Sequence, residues 1–295
     1  MSDLPKDIES ALSAAGLDPV AIADLARLAL EEDLDGGVDV TSVATVPVDQ
    51  RSVLDLVARR SGVAAGVPVA AAVFSIVDEH LDIRMMVADG TPVAAGDVLL
   101  SVRGTTRALL QAERPALNLL GHLSGIATLT RTWVDAVAGT NARVRDTRKT
   151  TPGMRRLEKY AVRCGGGTNH RMSLSDAALV KDNHVVAAGG VAAAFDAVRR
   201  QFPGVPVEVE VDSLAQLDEV LDAGADLVLL DNFSVELMRE AVARTAGRSR
   251  LEASGGLTLD SAAAVAATGV DYLAVGALTH SAPVLDIGAD LRQEA

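Results

Sequence analysis

One cysteine, Cys164, in 295 residues leaves no intramolecular disulfide and no cysteine-based metal cluster. It fits a reducing compartment, and the cytoplasm is the expected location. Aromatic residues make up only 2% of the chain. The core must therefore be assembled from Ala, Val and Leu, which favours helices laid closely on sheets over an aromatic-rich sandwich. Positive charge is scarce, with 27 Lys and Arg against 40 Asp and Glu and a net charge of −13. So acidic a chain is a poor partner for nucleic acid or anionic membrane. No run approaches the roughly 18 apolar residues that a membrane helix needs, so no membrane span is expected. The opening stretch, MSDLPKDIESALSAAG, is acidic and lacks a long apolar run, so it does not read as a signal peptide.

What the chain does contain falls into two patterns. Residues 20–35 carry apolar positions at helical spacing and end at Gly36-Gly37. From Thr41 to Val102, short Val-rich runs punctuated by Gly, Asp-Gly and Pro predict strands and hairpins, with one helix near Pro68–Glu79. Residues 107–138 predict a long helix, in one piece or in two around Gly121–Gly125. A rhythm then begins. Apolar runs recur at ARVRDT, AALVKDNH, VPVEVEVDS, DLVLLDNF, LEASGG and DYLAVGAL, with amphipathic segments such as LEKYAVRC and VAAAFDAVRRQF between them. Continuous apolar strands alternating with helices predict a parallel sheet. Six such units suggest a β/α barrel, with an open doubly wound sheet as the alternative.

Each of these strands ends in polar residues: Asp146–Lys149, Lys181–His184, Glu208/Glu210/Asp212, Asp231-Asn232, Ser254–Gly256 and Gly276-Ala277. One such end is an ordinary solvated turn. Six would converge on one mouth of a barrel, where active sites of that architecture lie. Residues 143–171 hold nine Lys or Arg against two acids, Asp146 and Glu158. A basic island in an acidic chain implies an anionic ligand. A solvated helix face accounts for some of Arg155, Arg156, Lys159 and Arg163, but not for Arg148-Lys149 at a strand end or His170-Arg171 after three glycines. Guanidinium groups bind carboxylate and phosphate in pairs of hydrogen bonds. Ser254-Gly255-Gly256 and Val275-Gly276-Ala277 are strand–helix junctions of the kind whose backbone N–H groups hold phosphate. Glu210 and Asp231 suit a magnesium-bridged contact or the stabilisation of developing positive charge, and equally salt bridges to Lys181 and Lys149. His122, alone in a helix, carries no role, and Cys164 reads as a small buried residue.

Several stretches together resemble the quinolinate phosphoribosyltransferase family, also called nicotinate-nucleotide pyrophosphorylase (carboxylating). They are AERPALN (112–118), GHLSGIAT (121–128), RDTRKTTPGMRRLEKYAVRCGGGTNHR (145–171), LVKDNH (179–184), EVEVDS (208–213), LLDNF (229–233), EASGGL (252–257) and YLAVGALTHS (272–281). The resemblance implies an N-terminal α/β sandwich domain over residues 1–114, with the tail 281–295 packed back on it. It also implies a C-terminal incomplete TIM-like barrel of fewer than eight strands over 115–280. It implies transfer of a phosphoribosyl group from phosphoribosyl pyrophosphate to quinolinate with loss of carbon dioxide, as in de novo NAD synthesis. The expected assembly is a homodimer or a higher oligomer of dimers. On matching positions, Thr147, Arg148, Lys149, His170, Arg171 and Lys181 look like the quinolinate and phosphate pocket, and Arg114 like an arginine donated by the neighbouring subunit. Glu210 and Asp231 look like the carboxylates that hold the ribose hydroxyls and Mg²⁺, mainly through the pyrophosphate. Lys149, Lys181, Glu210 and Asp231 form the expected catalytic set. Ser254–Gly256 and Val275–Ala277 look like the 5′-phosphate cradle.

Other readings exist. A phosphoribosyltransferase of the same superfamily that acts without decarboxylation is the nearest, and a paralogue associated with molybdenum uptake is another. A Schiff-base aldolase would use Lys181 at its strand end. A biotinyl or lipoyl carrier is suggested by VADGTPVAAGDVLLSV, but residues 61–102 contain no lysine to modify.

Overall fold

The computed structural model describes residues 3–293. Its strands begin with β1 (Arg51–Ala58), β2 (Gly62–Val63), β3 (Asp82–Met85), β4 (Pro92–Val93) and β5 (Val98–Thr105). They continue with β6 (Arg143–Arg145), β7 (Ala178–Val180), β8 (Val207–Val211), β9 (Leu227–Asp231), β10 (Arg250–Ser254), β11 (Tyr272–Ala274) and β12 (Ile287–Gln293). The chain forms two compact units. One takes everything through Leu129, together with Arg156–Gly166 and the stretch from Ser281 onward; the other takes Thr130–Arg155 and Gly167–His280.

The first unit is built on an antiparallel sheet in the order β12-β1-β5-β3. The helix Pro19–Leu34 begins where Asp18 accepts a hydrogen bond from Val20 N and Pro19 supplies a preset φ. The apolar helix Val67–Val77 is buried along its first nine residues, Val67–Ser75. Its first N–H groups, on Gly66 and Val67, donate to the Asp89 carboxylate at 2.8 and 2.9 Å, and Tyr160 Oη donates to the same carboxylate at 2.7 Å.

The helix Thr106–Ala136 runs unbroken through Pro115, Gly121 and Gly125. The two glycines are there for contact rather than for a break. A Cβ on Gly125 would lie 2.1 Å from the Pro283 carbonyl oxygen, and one on Gly121 would lie 3.1 Å from that of Leu285. Leu285 N donates to Gly121 O at 3.0 Å. The spacing of four puts both bare positions on one face, and the returning tail occupies it.

Two boundaries differ from expectation. The division expected after Arg114 falls inside this continuous helix, and the units part after Leu129. The segment LEKYAVRC, expected as a barrel helix, forms the helix Arg155–Cys164 and lies with the first unit from Arg156 on. Its hydrogen bonds explain why: Tyr160 to Asp89, Glu158 to His122 Nε2 at 3.0 Å, and Arg163 to Ala15 O at 3.0 Å. Lys159, read as part of a solvated face, is fully buried, whereas Arg156 is exposed.

The second unit is a six-stranded parallel sheet in the order β6-β11-β10-β9-β8-β7. A doubly wound sheet would reverse its order at a central strand. Here the order runs from β7 to β11 without reversal and returns to the first strand, β6, as in a β/α barrel. Between β6 and β7 a single residue keeps the place of a strand: Thr168 forms a parallel bridge to Arg145, with Thr168 N donating to Val144 O at 2.8 Å. The barrel is thus incomplete, as the family resemblance implies. Side-chain caps start the helices that follow β8, β9 and β10, with Ser213, Ser234 and Thr258 accepting from backbone N–H groups.

Candidate active site

Alternation along the strands builds the site. In β8, Val209 and Val211 are buried, while Glu208 and Glu210 lie on the opposite face. The same alternation aligns Arg145 with Thr147, Leu179 with Lys181, Leu229 with Asp231, and Glu252 with Ser254. Of these, Thr147, Lys181, Glu210, Asp231, Glu252 and Ser254 line a cavity of about 670 Å³ at the C-terminal ends of the strands. Arg148, Lys149, His170, Arg171 and Gly255 complete its wall among the expected site residues. Gly256, Val275, Gly276 and Ala277 do not line it. Gly276 nevertheless borders it through Lys149, because a Cβ at that glycine would sit 3.0 Å from Lys149 Cδ. Gly255 has φ +89°, and a Cβ there would meet Asn232 Oδ1 at 2.2 Å. Asn232 itself takes the left-handed conformation, with φ 55°, which asparagine adopts more readily than most residues.

The cations in this wall differ in how they are held. Lys181 Nζ donates to Glu210 Oε2 at 2.7 Å, so one of the two anticipated salt bridges exists. The other does not: neither the Lys149 ammonium nor the Asp231 carboxylate has an ion-pair partner among the described residues, and Asp231 accepts only from Asn232 Nδ2, at 2.8 Å. Arg148 Nε is buried with no hydrogen-bond partner. Arg171 donates to Ala177 O at 2.9 Å. Burial, and then the Arg148 guanidinium, lower its pKa from the ordinary arginine value. Two guanidinium groups held together with a buried orphan N–H form a seat for a multiply charged anion.

Beneath the cavity lies a buried polar cluster that the strand-end residues alone did not foretell. His170 Nδ1 accepts from Arg171 N at 2.7 Å. The neutral ring therefore carries its hydrogen on Nε2, which lies 2.7 Å from Glu208 Oε2 and 3.6 Å from Glu252 Oε1. Arg145 donates to Glu252 Oε2. Asp146, fully buried, accepts from His170 N at 2.8 Å and from Asn169 Nδ2. Both ring nitrogens of His170 are thus occupied by protein. Burial, and then the neighbouring Glu208 charge, push the Glu252 carboxyl well above the usual glutamate range. Outside the barrel, burial pushes the Cys164 thiol up to about 11, so it is protonated and unreactive at neutral pH. Arg114, in the first unit, is 62% exposed, and its one ion-pair contact among the described residues is Glu113, at 3.9 Å.

A β/α barrel whose mouth gathers Arg and Lys opposite two carboxylates has the form of an enzyme site for anionic substrates. The comparisons give it a family. The C-terminal domain of quinolinate phosphoribosyl transferase matches residues 126–290, and the N-terminal domain of the same family matches residues 39–124. The chain belongs to the quinolinate phosphoribosyl transferase family. It is 54% identical over 276 residues to the nicotinate-nucleotide pyrophosphorylase [carboxylating] of Mycobacterium leprae, covering 92% of this chain and 97% of that one. The crystal structure of NadC from Streptococcus pyogenes superposes with a TM-score of 0.91 at 41% identity, over 95% of this chain and 99% of that one. The nicotinate-nucleotide pyrophosphorylase from Francisella tularensis superposes with a TM-score of 0.89 at 36% identity, over 99% and 98% of the two chains. Among the described residues, no helix is long and apolar enough to cross a membrane.

Proposed function

We propose that the protein transfers the phosphoribosyl group of phosphoribosyl pyrophosphate to quinolinate with decarboxylation, releasing nicotinate mononucleotide, pyrophosphate and carbon dioxide. The observation that carries this reading is the gathering of positive charge in the cavity wall. The orphan Nε of Arg148, the unpaired Lys149 and the crowded Arg171 exceed what one carboxylate requires, and suit a dicarboxylate beside phosphates.

In this reading Arg148, Arg171 and Lys181 hold the anionic groups, and Lys149 faces the phosphates. The pyridine nitrogen attacks the anomeric carbon as the bond to pyrophosphate breaks. Glu210 and Asp231 face the positive charge that develops on the sugar. The C2 carboxylate then departs as carbon dioxide, leaving its electron pair on carbon beside the cationic ring nitrogen, and a proton takes its place. No protein nucleophile is needed.

The same carboxylates suit Mg²⁺, because both offer hard oxygen donors and Asp231 has no cationic partner among the described residues, while Glu210 holds Lys181 through Oε2. Two carboxylates are too few for an octahedral ion, so the substrate's pyrophosphate oxygens and water would complete the shell. What such an ion supplies is charge neutralisation on the departing pyrophosphate. Ser254–Gly256 and Gly276-Ala277 suit the 5′-phosphate through backbone N–H groups, whereas the Val275 N–H is already donated to Arg145 O at 2.9 Å. The expected assembly is a homodimer in which Arg114, exposed and without a firm partner in its own helix, serves the neighbouring subunit's cavity. The cytoplasm suits the acidic chain and its single thiol, and neither nucleic acid nor membrane is an expected partner.

The test is an assay with Mg²⁺, phosphoribosyl pyrophosphate and either quinolinate or nicotinate. Equimolar carbon dioxide and pyrophosphate are expected from quinolinate, with nicotinate turned over little or not at all. Equal turnover of nicotinate without carbon dioxide overturns the reading.

A further inference from the structure

The cluster below the cavity contains groups that cannot touch a substrate held at the mouth yet share hydrogen bonds with the wall. Glu208 is 4% exposed on its side chain, lies on the strand that also carries Glu210, and points into the barrel. Its carboxylate meets the His170 ring through Nε2, and the other nitrogen of that ring receives the backbone N–H of Arg171. Asp146 at the end of β6 holds the backbone N–H of His170, and Thr168 ties the same loop to β6. The loop 168–171 thus stands where the barrel lacks a regular strand. It is pinned at one end by backbone bonds to β6, and beyond it the Arg171 guanidinium donates to Ala177 O. Between these two holds, the His170 ring, resting on Glu208, sets where the chain leaves towards Arg171.

We infer that Glu208 is a positioning residue for the reaction: by accepting from His170 Nε2 it fixes the imidazole as a strut, and the strut sets the Arg171 guanidinium in the wall of the anion cavity. The inference rests on the reading of Arg171 as a quinolinate ligand. It differs from a bulk structural role because it concerns one bond at one distance. It differs from an electrostatic role because what matters is an acceptor oxygen within reach of Nε2, rather than a negative charge.

Two conservative variants separate these possibilities without emptying the core. Glu208→Gln keeps an acceptor oxygen at the same reach and removes the charge. Glu208→Asp keeps the charge and draws the acceptor back by one methylene. Steady-state kinetics would be measured for both, with Arg171→Ala alongside and melting temperatures recorded. Glu208→Asp is expected to raise the KM for quinolinate about tenfold or more, the loss of one hydrogen bond to a charged group. Its kcat and its KM for phosphoribosyl pyrophosphate should stay within about threefold, a scale below one hydrogen bond. Glu208→Gln is expected to stay close to the parent enzyme in all three. The reverse order, with Gln impaired and Asp normal, overturns the strut in favour of charge. Two variants with normal quinolinate KM overturn it outright, and so do two variants impaired in every parameter alike. The control separates the two levels: a normal quinolinate KM in Arg171→Ala removes the pocket reading itself, whereas a raised one with Glu208→Asp unaffected removes only the strut.

Discussion

Arg148 should make the ligand-free enzyme less stable than it could be. Its Nε is buried without a partner, and its guanidinium lies near enough to Arg171 to lower that residue's pKa. A buried donor left unsatisfied costs about 1–3 kcal/mol. Arg148→Met keeps an unbranched chain of similar length and removes both the orphan donor and the like charge. The ligand-free variant is therefore expected to gain about 1–3 kcal/mol, a rise in Tm of roughly 2–4 °C for each kcal/mol in a chain near this size. Binding should move the other way. An anion that loses its desolvated cationic partner forfeits about 3–5 kcal/mol, or roughly two to four decades of affinity. Calorimetric titration with quinolinate, and separately with phosphoribosyl pyrophosphate, set beside thermal melts without ligand, gives both numbers. A variant that melts lower than the parent and binds both substrates normally refutes the reasoning, because Arg148 would then be a structural residue.

Two further outcomes are expected. Arg114→Ala and Lys149→Ala should each be nearly inactive, while mixed dimers regain part of the activity, since one site in each mixed dimer escapes both substitutions; heterodimers shown to form but inactive would place Arg114 in its own subunit's service. Glu252 holds a proton in the folded protein that the unfolded chain gives up earlier, so its contribution to stability should fall as pH rises from the ordinary glutamate range towards neutrality and then level off; the stability difference between the parent and Glu252→Gln, followed by denaturation across that window, should show this slope, and parallel curves would contradict it.

The barrel was legible because its strands are continuous apolar runs with polar ends, separated by amphipathic segments. The mouth was legible for the same reason: Arg148, Lys181, Glu210 and Asp231 stand where apolar sequence stops. Three features escaped for physical reasons. Gly121 and Gly125 look like helix breakers, yet they are bare positions for a segment about 160 residues further along the chain, and no local pattern reports so distant a contact. The helix Arg155–Cys164 sits in sequence between two barrel strands but has its hydrogen-bond partners in the first unit. Period two along VEVEV does carry a trace of the buried cluster, since Glu208 shares a face with Glu210. What a single strand cannot disclose is that His170 and Glu252, from other elements, would close around that carboxylate.

The pairing of β12 with β1, from Ser52↔Gln293 to Ala58↔Ile287, also fixes an order of events during synthesis. The barrel strands β6 to β11 all emerge from the ribosome before β12 does. The second unit can therefore close while the first still presents β1 as an open edge and leaves the glycine face of its long helix bare. A nascent chain halted after His280 would carry a finished barrel and an unfinished sheet, with unpaired backbone groups of the kind that recruit chaperones or other strands. Maturation of the first unit is thereby deferred until the segment that follows the barrel has been made.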